Sequence, residues 1–461
     1  MKSTAYDESY TEQFQPQTRS SKPSLFDDLK PPLTETGAVV EASRCLECGG
    51  PYAPAPCTVG CPVGIDIPGF VSAIYRGEMM NAADIIFAEN ILGASCARVC
   101  PVEILCEAAC VLEHEGRKPV EIGRLQRFAA EKALNNHNRI SYRIPTRSTT
   151  SKVAVIGAGP AGLSCAAELA GEGYPVTVYD ANEDFGGLVR YAIAPYRINR
   201  DPLPKEVQLI RDLGVDFKMG TAIDSPEKLQ DIESEYDAIF LGIGLGRDVD
   251  LQYPGEELSG VWDSLDFIRM IKTGQKPKIG NSVGVIGGGN TAIDVAREAL
   301  RLGAREVTMY YRRTEAEMPA YDHEIEEARE EGVRFQFLTN PVRFLGDEQL
   351  EAIELQYMKL GEPDASGRPR PEAVPGTEFT VRTDTVIKAI GQQKRKSFLS
   401  WIEKLELDQG LIKIDAQTGQ TTNPKYFAGG DALNGGATVV EAVQDGKVAA
   451  RGIAQFLGGE S

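Results

Sequence analysis

The sequence has no long hydrophobic run. Nowhere does an apolar stretch approach the roughly 18 residues that a membrane-spanning helix needs, and the opening MKSTAYDESYTEQ is polar where a secretory signal would be apolar. The sequence also has few positive charges: it contains 49 Lys and Arg and 67 Asp and Glu, which gives a formal charge of −18. This balance argues against attraction to nucleic acid or to anionic membranes. We therefore expect a cytoplasmic globular protein, whose 461 residues suffice for two or three domains.

Cysteine, by contrast, is concentrated in one part of the chain. Eight of the nine cysteines lie within residues 45–110, and the ninth, Cys165, is interpreted as a packed side chain. In a reducing cytosol such a group indicates metal or iron–sulfur ligation rather than disulfides. Zinc is the rival, but Cys61 and Cys100 each precede a proline, as in ferredoxin sequences, so two 4Fe–4S clusters fit better.

The remaining pattern divides the chain into modules. Residues 1–40 are polar and predict a tail or a partner-facing arm without chemistry of its own. Amphipathic spacing predicts a small helical domain in residues 41–145 that holds both clusters, with a polar linker near 141–152. Two β-branched strands that run into glycines predict two Rossmann-like dinucleotide-binding units, hence an α/β fold. The predicted nucleotide domains cover 151–271 with 389–461, and 272–388.

The first glycine motif follows the strand VAVI. In it Gly157 makes the tight turn, Gly159 admits a pyrophosphate, and Gly162 lets helix and strand pack closely. The next strand, PVTVYD, ends in Asp180, whose carboxylate can accept hydrogen bonds from adenosine ribose hydroxyls. This pattern predicts a dinucleotide without a 2′-phosphate. The predicted site also includes Pro160, Ala161, Gly187 and Leu188.

A later motif, FAGGDA, resembles the second FAD signature of flavoenzymes with two dinucleotide domains. By that resemblance Gly430 and Asp431 bind the ribityl and pyrophosphate region, so the first site is predicted to take FAD rather than NAD. The long helix that follows begins near Thr438, and its positive end would face the flavin ring and stabilise the reduced, anionic flavin. No CxxC follows the flavin motif, which weighs against a thioredoxin-reductase-like dithiol relay.

The second glycine motif differs from the first. Gly287 and Gly289 match the fingerprint, whereas Ala292 stands where a third glycine is usual. The following strand, VTMYY, leads into Arg312 and Arg313 rather than an acid. Guanidinium groups at this position favour a 2′-phosphate, so we predict NADPH rather than NADH. The predicted NADPH site also includes Asn290 and Thr291.

From about residue 40 onward the chain resembles the small subunit of bacterial NADPH-dependent glutamate synthase and the related electron-input half of dihydropyrimidine dehydrogenase. The motifs that carry the resemblance are LGASCARVCPVEILCEAAC, PVEIGRLQR, AVIGAGPAGL, VIGGGNTAID, YYRRTEAEMPA and FAGGDA, and they are spread over all three modules. The resemblance implies a two-dinucleotide flavoprotein fold in which the NADPH domain is inserted in the FAD domain.

The resemblance also implies an interleaved set of cluster ligands. Gln126 matches a noncysteine ligand of the dihydropyrimidine dehydrogenase branch, although a solvated helix glutamine is about as common. Cys96 would then be left without a cluster. By this resemblance one cluster is held by Cys61, Cys100, Cys106 and Cys110, and the other by Cys45, Cys48, Cys57 and Gln126.

Together the modules predict electron transfer from NADPH to FAD, to the clusters and on to a partner. His114, His137 and His323 are isolated, and no catalytic side chain is assigned. The resemblance implies that the partner is a larger glutamate synthase subunit, in which glutamine and 2-oxoglutarate become glutamate. Three alternatives stand beside it: the input subunit of a dihydropyrimidine dehydrogenase, a flavin-bifurcating transhydrogenase subunit that works with ferredoxin, and a scaffold whose nucleotide sites are vestigial.

Overall fold

The computed structural model describes residues 27–136, 148–198, 202–364 and 367–458. Within these ranges no helix combines the length and the apolar character needed to cross a membrane. The α-helices are α1 (Glu35–Ala42), α2 (Pro56–Val59), α3 (Ile67–Tyr75), α4 (Met79–Glu89), α5 (Gly93–Val99), α6 (Val111–His114), α7 (Ile122–Leu134), α8 (Pro160–Gly171), α9 (Leu188–Tyr191), α10 (Leu203–Asp212), α11 (Pro226–Glu235), α12 (Ser264–Lys272), α13 (Asn290–Arg301), α14 (Asp322–Glu331), α15 (Lys396–Leu399), α16 (Asp431–Asn434) and α17 (Val439–Phe456).

The strands follow the same chain order. They are β1 (Val153–Ile156), β2 (Val176–Tyr179), β3 (Asp216–Lys218), β4 (Ala238–Leu241), β5 (Val261–Asp263), β6 (Ser282–Ile286), β7 (Glu306–Tyr310), β8 (Arg334–Gln336), β9 (Thr339–Leu345), β10 (Ala352–Pro363), β11 (Pro369–Ala373), β12 (Phe379–Arg382), β13 (Thr385–Lys388), β14 (Leu407–Asp408), β15 (Leu411–Ile412) and β16 (Tyr426–Ala428).

The N-terminal domain packs short helices around the cysteines. α3 begins after Asp66, whose carboxylate accepts a hydrogen bond from the backbone N–H of Gly69 at 3.1 Å. Apolar residues at helical spacing on α7, among them Leu125, Phe128 and Ala129, are buried where this helix packs on α4 and α5. The predicted helical domain at the start of the chain is therefore confirmed.

The predicted tail needs correction at its C-terminal end. Residues 1–26 lie outside the described residues, but α1 starts within the predicted tail, and its Ala38 and Ala42 are buried. Arg127 of α7 donates to the carbonyl of Lys30 at 2.7 Å and pairs with Asp28 at 3.2 Å. The chain from residue 27 onward thus belongs to the helical domain, because apolar and charged contacts hold it there. The predicted linker up to residue 147 and His137 lie outside the described residues.

The first nucleotide unit is built on a parallel sheet with strand order β16-β4-β1-β2-β3. β1 consists of four buried apolar residues, as expected for a parallel strand covered on both faces. α8 and α17 lie close together, since a Cβ added to Gly446 would stand 2.3 Å from the carbonyl oxygen of Ala161. The chain leaves this sheet after β4 and returns to it with β16. The predicted insertion of one nucleotide unit into the other is therefore confirmed.

The inserted unit has its own parallel sheet, ordered β5-β13-β6-β7-β8. An antiparallel sheet joins it, in which β10 pairs with β9, β11 and β12. The predicted boundary between residues 271 and 272 needs correction, because β5 pairs with β13 through Val261–Asp263. The inserted unit therefore begins before β5. A three-residue strand is too short for its alternation to reveal it in the sequence.

Candidate functional site

The first nucleotide unit contains a cavity of about 920 Å³, which lies between the glycine turn after β1, α9 and the N-terminus of α17. Ten of the eleven predicted FAD residues line this cavity, and Gly162 lies beneath it in α8. The structure thus brings together residues from three separate stretches of sequence. Those that line the cavity are Gly157, Gly159, Pro160, Ala161, Asp180, Gly187, Leu188, Gly430, Asp431 and Thr438.

The three fingerprint glycines meet different constraints. Gly157 has φ of +110°, and a Cβ there would stand 2.2 Å from the carbonyl oxygen of Gly242. A Cβ on Gly162 would stand 1.9 Å from the carbonyl oxygen of Gly157, so helix and turn touch. A Cβ on Gly159 would meet nothing closer than the Gly242 carbonyl oxygen, at 4.0 Å. Gly159 lies in the cavity wall at the start of α8. The accessible backbone at this helix N-terminus therefore has the room and the N–H groups that a pyrophosphate needs.

Asp180 is held rigidly at the end of β2. Its carboxylate accepts hydrogen bonds from the backbone N–H groups of Ala158 and Asn182, both at 2.8 Å. Arg395 also lines the cavity; burial lowers the pKa of its guanidinium, and the charge of Asp180 opposes that effect. Sequence reasoning missed Arg395, because the run KRK that contains it reads as a solvated charge cluster. The site therefore carries a cation that the fingerprint does not encode.

The C-terminal motif closes the opposite side of the cavity. Burial raises the pKa of Asp431, whose carboxylate accepts a hydrogen bond from the Ala437 backbone N–H at 3.3 Å. Thr438 caps α17, since its hydroxyl accepts from the Glu441 N–H at 3.3 Å and the Glu441 carboxylate accepts from the Thr438 N–H at 2.8 Å. The N-terminus of an 18-residue helix therefore reaches the cavity wall. Its dipole favours negative charge at that position.

The second fingerprint has the same arrangement of glycines at a strand end, but here an aromatic ring covers the middle glycine. Gly287 has φ of +142°, and a Cβ there would stand 2.2 Å from the Ala389 carbonyl oxygen. Gly288 is covered by the ring of Tyr311, which would lie 2.6 Å from an added Cβ. Gly289 caps α13, and a Cβ added there would meet nothing closer than the ring of Pro319, at 3.9 Å. The site is therefore a second exposed helix N-terminus, with Asn290 and Thr291 in its first turn.

The two predicted arginines have different roles in the structure. Arg312 is exposed at the end of β7. Arg313 is only 5% exposed, and its guanidinium donates to the carbonyl of Pro369 at 2.8 Å and pairs with Asp364 at 3.2 Å. This corrects the prediction for Arg313, because its charge is already matched and its hydrogen bonds hold the β10–β11 hairpin. Only the tertiary fold could reveal that partner.

Four cysteines share one cavity in the helical domain. Cys45, Cys48, Cys57 and Cys110 line it together with apolar residues of α3. Burial, with a smaller effect of the neighbouring Cys45 and Cys110, raises the pKa of the Cys57 thiol to about 12. The turn before α6 packs on α2, since a Cβ on Gly60 would stand 3.0 Å from Ala109, and this contact brings Cys110 to the first three cysteines.

The other four cysteines, the second group, lie near one another, and one of them, Cys106, also lies near Cys57 of the first group. The contact with Cys96, followed by burial, raises the pKa of Cys100, with Cys106 and Cys61 contributing. Burial raises the pKa of Cys61, while backbone N–H groups of residues 63–65 oppose that effect at its sulfur. Such N–H groups around a thiolate suit iron–sulfur ligation. Within the described ranges no three His, Cys, Asp or Glu side chains converge on one metal ion; the four thiols of a 4Fe–4S cluster bind four separate irons.

This grouping differs from the interleaved assignment at three residues. Cys110 lies with Cys45, Cys48 and Cys57 rather than with Cys61, and Cys96 contacts Cys100 instead of being left over. Gln126 does not line the first cavity; it is buried on α7, and its amide nitrogen donates to the Gly93 carbonyl at 2.7 Å. The physical reason is that α5 places Cys96 one helical turn before Cys100.

Two contacts, one buried and one partly buried, join the helical domain to the first nucleotide unit. Glu206 of α10 is fully buried and accepts hydrogen bonds from the backbone N–H groups of Ala94 at 2.7 Å and Ser95 at 3.0 Å, and from the Ser95 hydroxyl. These donors are at the N-terminus of α5, which carries Cys96. On the other side, Lys447 of α17 binds Glu89 at 2.7 Å. α17, which reaches the cavity, is therefore fixed to the helical domain, and α5, which carries Cys96, is fixed to the first nucleotide unit.

We expect Glu206→Ala to destabilise this junction by about 3 kcal/mol, because two backbone N–H groups would be buried without acceptors. Burial raises the pKa of Glu206 to about 7. A raised acid pKa means that the folded state holds its proton more tightly, so wild-type stability falls as the pH rises from about 4.5 to about 7 and then levels off.

Glu206→Gln should remove that pH dependence and keep the junction, since its amide oxygen can accept both N–H groups while its NH2 donates to the Ser95 hydroxyl. Chemical unfolding of the three proteins between about pH 5 and pH 8 measures both effects. Equal pH slopes for wild type and Glu206→Gln would contradict the role assigned to this carboxyl.

Comparison with known proteins agrees with this division of the chain. Residues 22–138 match the family model described as dihydropyrimidine dehydrogenase domain II, 4Fe–4S cluster. Residues 151–446 match the model described as pyridine nucleotide-disulphide oxidoreductase. The first match supports iron–sulfur ligation over zinc for the eight clustered cysteines.

Curated relatives match almost the whole chain. The glutamate synthase (NADPH) small chain of Halomonas elongata is 37% identical over 94% of this chain and 93% of its own length. The protein of the same name from Escherichia coli is 36% identical over 94% of both chains. The beta subunit of the NADP(+)-dependent formate dehydrogenase of Moorella thermoacetica is 39% identical over 88% of this chain, which spans 60% of that protein.

Solved structures share the fold at low identity. FprA of Mycobacterium tuberculosis, in complex with NADPH, is 19% identical with a TM-score of 0.55 over 67% of this chain and 85% of its own. A 2-naphthoyl-CoA reductase is 18% identical with a TM-score of 0.51 over 85% of this chain and 49% of its own. Both likenesses concern the fold alone.

Proposed function

The chain belongs to the family of the glutamate synthase (NADPH) small chain, and from this we propose that it is the NADPH-oxidising subunit of a glutamate synthase. It is an NADPH-dependent flavin and iron–sulfur oxidoreductase that works with a larger partner subunit. The observation that carries the proposal is the similarity to two small chains over 94% of this sequence and over nearly their whole length. Other relatives are longer, since this chain spans only 60% of the formate dehydrogenase beta subunit and 64% of the NADPH-Fe(3+) oxidoreductase beta subunit of Geobacter sulfurreducens.

We propose that the cavity residues hold FAD and that the glycines before α13 hold NADPH. Bound there, FAD would supply the conversion between the two-electron hydride of NADPH and the single electrons that iron–sulfur clusters accept. The chain's own residues bind and orient: Gly159 leaves room for the pyrophosphate, Asp180 accepts from the ribose, and the N-terminus of α17 offers a positive dipole. No side chain is assigned a proton-transfer role.

We propose a revised ligand set for two 4Fe–4S clusters. Each of the two cysteine groups supplies four thiols, which is the number that such a cluster requires. Support comes from the cavity shared by the first group and from the mutual effects of the second group on their pKa values. The first cluster takes Cys45, Cys48, Cys57 and Cys110, and the second takes Cys61, Cys96, Cys100 and Cys106.

Reconstitution tests the proposed function. The protein loaded with FAD and clusters, mixed anaerobically with NADPH, should lose flavin and cluster absorbance rapidly. Addition of a glutamate synthase large subunit with glutamine and 2-oxoglutarate should then yield glutamate at the expense of NADPH. The large subunit alone with NADPH is the control.

Each failure has a distinct meaning for the proposal. Bleaching by NADPH without glutamate formation would contradict the glutamate synthase partner and direct attention to a dihydropyrimidine dehydrogenase or to ferredoxin. Absence of flavin reduction by NADPH would contradict the electron donor itself. Flavin reduction with unchanged clusters would contradict the relay within this chain.

A further inference from the structure

An arginine outside the fingerprint lies beside the second nucleotide site. Arg368 is part of the turn between β10 and β11, where its carbonyl accepts from the Asp364 N–H at 2.8 Å. Its Nη2 donates to the hydroxyl of Tyr311 at 3.1 Å. Tyr311 is the first residue after β7, and its ring covers Gly288 of the fingerprint. The hairpin therefore reaches the end of the strand where nucleotide-binding units distinguish a ribose hydroxyl from a 2′-phosphate.

The contacts of Arg313 explain how the hairpin reaches this position. The guanidinium of Arg313 is buried and binds both sides of the turn, at the Pro369 carbonyl and at the Asp364 carboxylate. Its charge is therefore matched within the protein, and its side chain points into the hairpin. Arg313 acts as a positioning residue that holds Arg368 beside Tyr311.

Some N–H donors of the Arg368 guanidinium have no partner among the described residues. Its Nη2 is used by Tyr311 and, at 3.4 Å, by the Glu317 carbonyl, while the described part of the chain gives Nε and Nη1 no hydrogen-bond partner. The side chain is half-buried. Arg312 follows Tyr311 at the end of β7 and is exposed. It forms no ion pair with any described residue. Two guanidinium groups are thus available near the same strand end.

Three acids of the surrounding turns are engaged by other residues. Glu315 is paired with Arg329 at 2.5 Å. The Glu317 carboxylate accepts from the backbone N–H of Thr314 at 3.0 Å and from its hydroxyl at 2.6 Å. Asp364 is occupied by Arg313. The surroundings therefore favour a bound dianion over an uncharged hydroxyl.

We propose that Arg368, together with Arg312, binds the 2′-phosphate of NADPH and sets the preference for NADPH over NADH. This rests on the proposed role of NADPH as the electron donor. The hairpin thereby supplies a specificity residue that lies far from the fingerprint in sequence. Arg313 contributes only by holding the hairpin in place.

The test compares four variants of the protein loaded with FAD and clusters: Arg368→Ala, Arg368→Lys, Arg312→Ala and Arg334→Ala. Arg334 is the matched control, because it pairs with Glu306 at the other end of β7. Dye reduction gives kcat and KM with NADPH and with NADH, and calorimetry gives the affinity for adenosine 2′,5′-bisphosphate and for AMP.

For Arg368→Ala we expect KM for NADPH to rise by about tenfold or more, with kcat and the NADH constants unchanged. Affinity for adenosine 2′,5′-bisphosphate should fall by a similar factor and affinity for AMP should not. Arg368→Lys should recover part of the loss, and Arg334→Ala should match wild type.

Two outcomes would overturn the proposal. Equal losses for NADPH and NADH in Arg368→Ala would show that the arginine only supports the hairpin, and unchanged constants would show that it does not contact the phosphate. The fragment measurement keeps the test separate from the proposed function. If wild type bound the bisphosphate but NADPH did not reduce the flavin, the electron donor would be in question and the phosphate site would not.

Discussion

Cys96→Ala is expected to remove about half of the iron and sulfide from the purified protein, since one of two 4Fe–4S clusters would lose a ligand. Gln126→Ala should leave the iron content unchanged and cost only about 1 kcal/mol, because the lost contact is the hydrogen bond to the Gly93 carbonyl. Iron and sulfide analysis with electron paramagnetic resonance of the reduced protein distinguishes the two variants. The expectation follows from the contact of Cys96 with Cys100.

Cys165→Ala is the matched control for loss of a thiol. Cys165 is fully buried in α8, in the first nucleotide unit. Its replacement should leave both cluster signals intact. The opposite pattern, full iron in Cys96→Ala and half in Gln126→Ala, would restore the ligand set that the family resemblance implies.

Gly162→Ala is expected to abolish FAD binding and to destabilise the first nucleotide unit by at least about 3 kcal/mol. The added Cβ would stand 1.9 Å from the Gly157 carbonyl oxygen and 3.1 Å from Val155, so α8 must move away from the turn. The N-terminus of α8 would then no longer face the cavity correctly. Flavin absorbance after purification and the thermal unfolding temperature measure the two effects.

Gly159→Ala provides the comparison within the same motif. Its Cβ would meet nothing closer than the Gly242 oxygen at 4.0 Å, so the fold should persist. The methyl group would project into the cavity where the pyrophosphate is proposed to bind, so FAD affinity should fall without a comparable loss of stability. Normal stability and flavin content in Gly162→Ala would contradict the packing role of that glycine.

The residues around the cavity of the first nucleotide unit show which assignments local sequence supports. Gly157 and Gly162 could be assigned because a strand, a tight turn and a helix adjoin in sequence, so their spacing alone encodes the contacts. Asp180 could be assigned because the next parallel strand ends at the same edge of the sheet. Arg395 could not be assigned, since it comes to the cavity from a distant loop after β13.

The cysteines show the opposite case. Their number and positions predict iron–sulfur ligation, but eight thiols can be divided into two sets of four in many ways. The division depends on how the turn before α6 packs against α2 and α3, and on the position that α5 gives Cys96 beside Cys100. The same holds for Arg313, whose partners on the hairpin lie about 50 residues later.

The sequence by itself determined the chemistry of this protein: its cysteine-rich helical domain and its two dinucleotide fingerprints. These features depend on residue types at short, fixed spacings, which local geometry converts into turns and helix N-termini. Only the tertiary structure decided which thiols lie near one another, that Arg313 binds the hairpin while Arg312 is exposed, and that Glu206 fixes α5 to the first nucleotide unit. Those outcomes depend on packing between distant segments, where burial and hydrogen-bond geometry choose among partners that the sequence leaves equivalent.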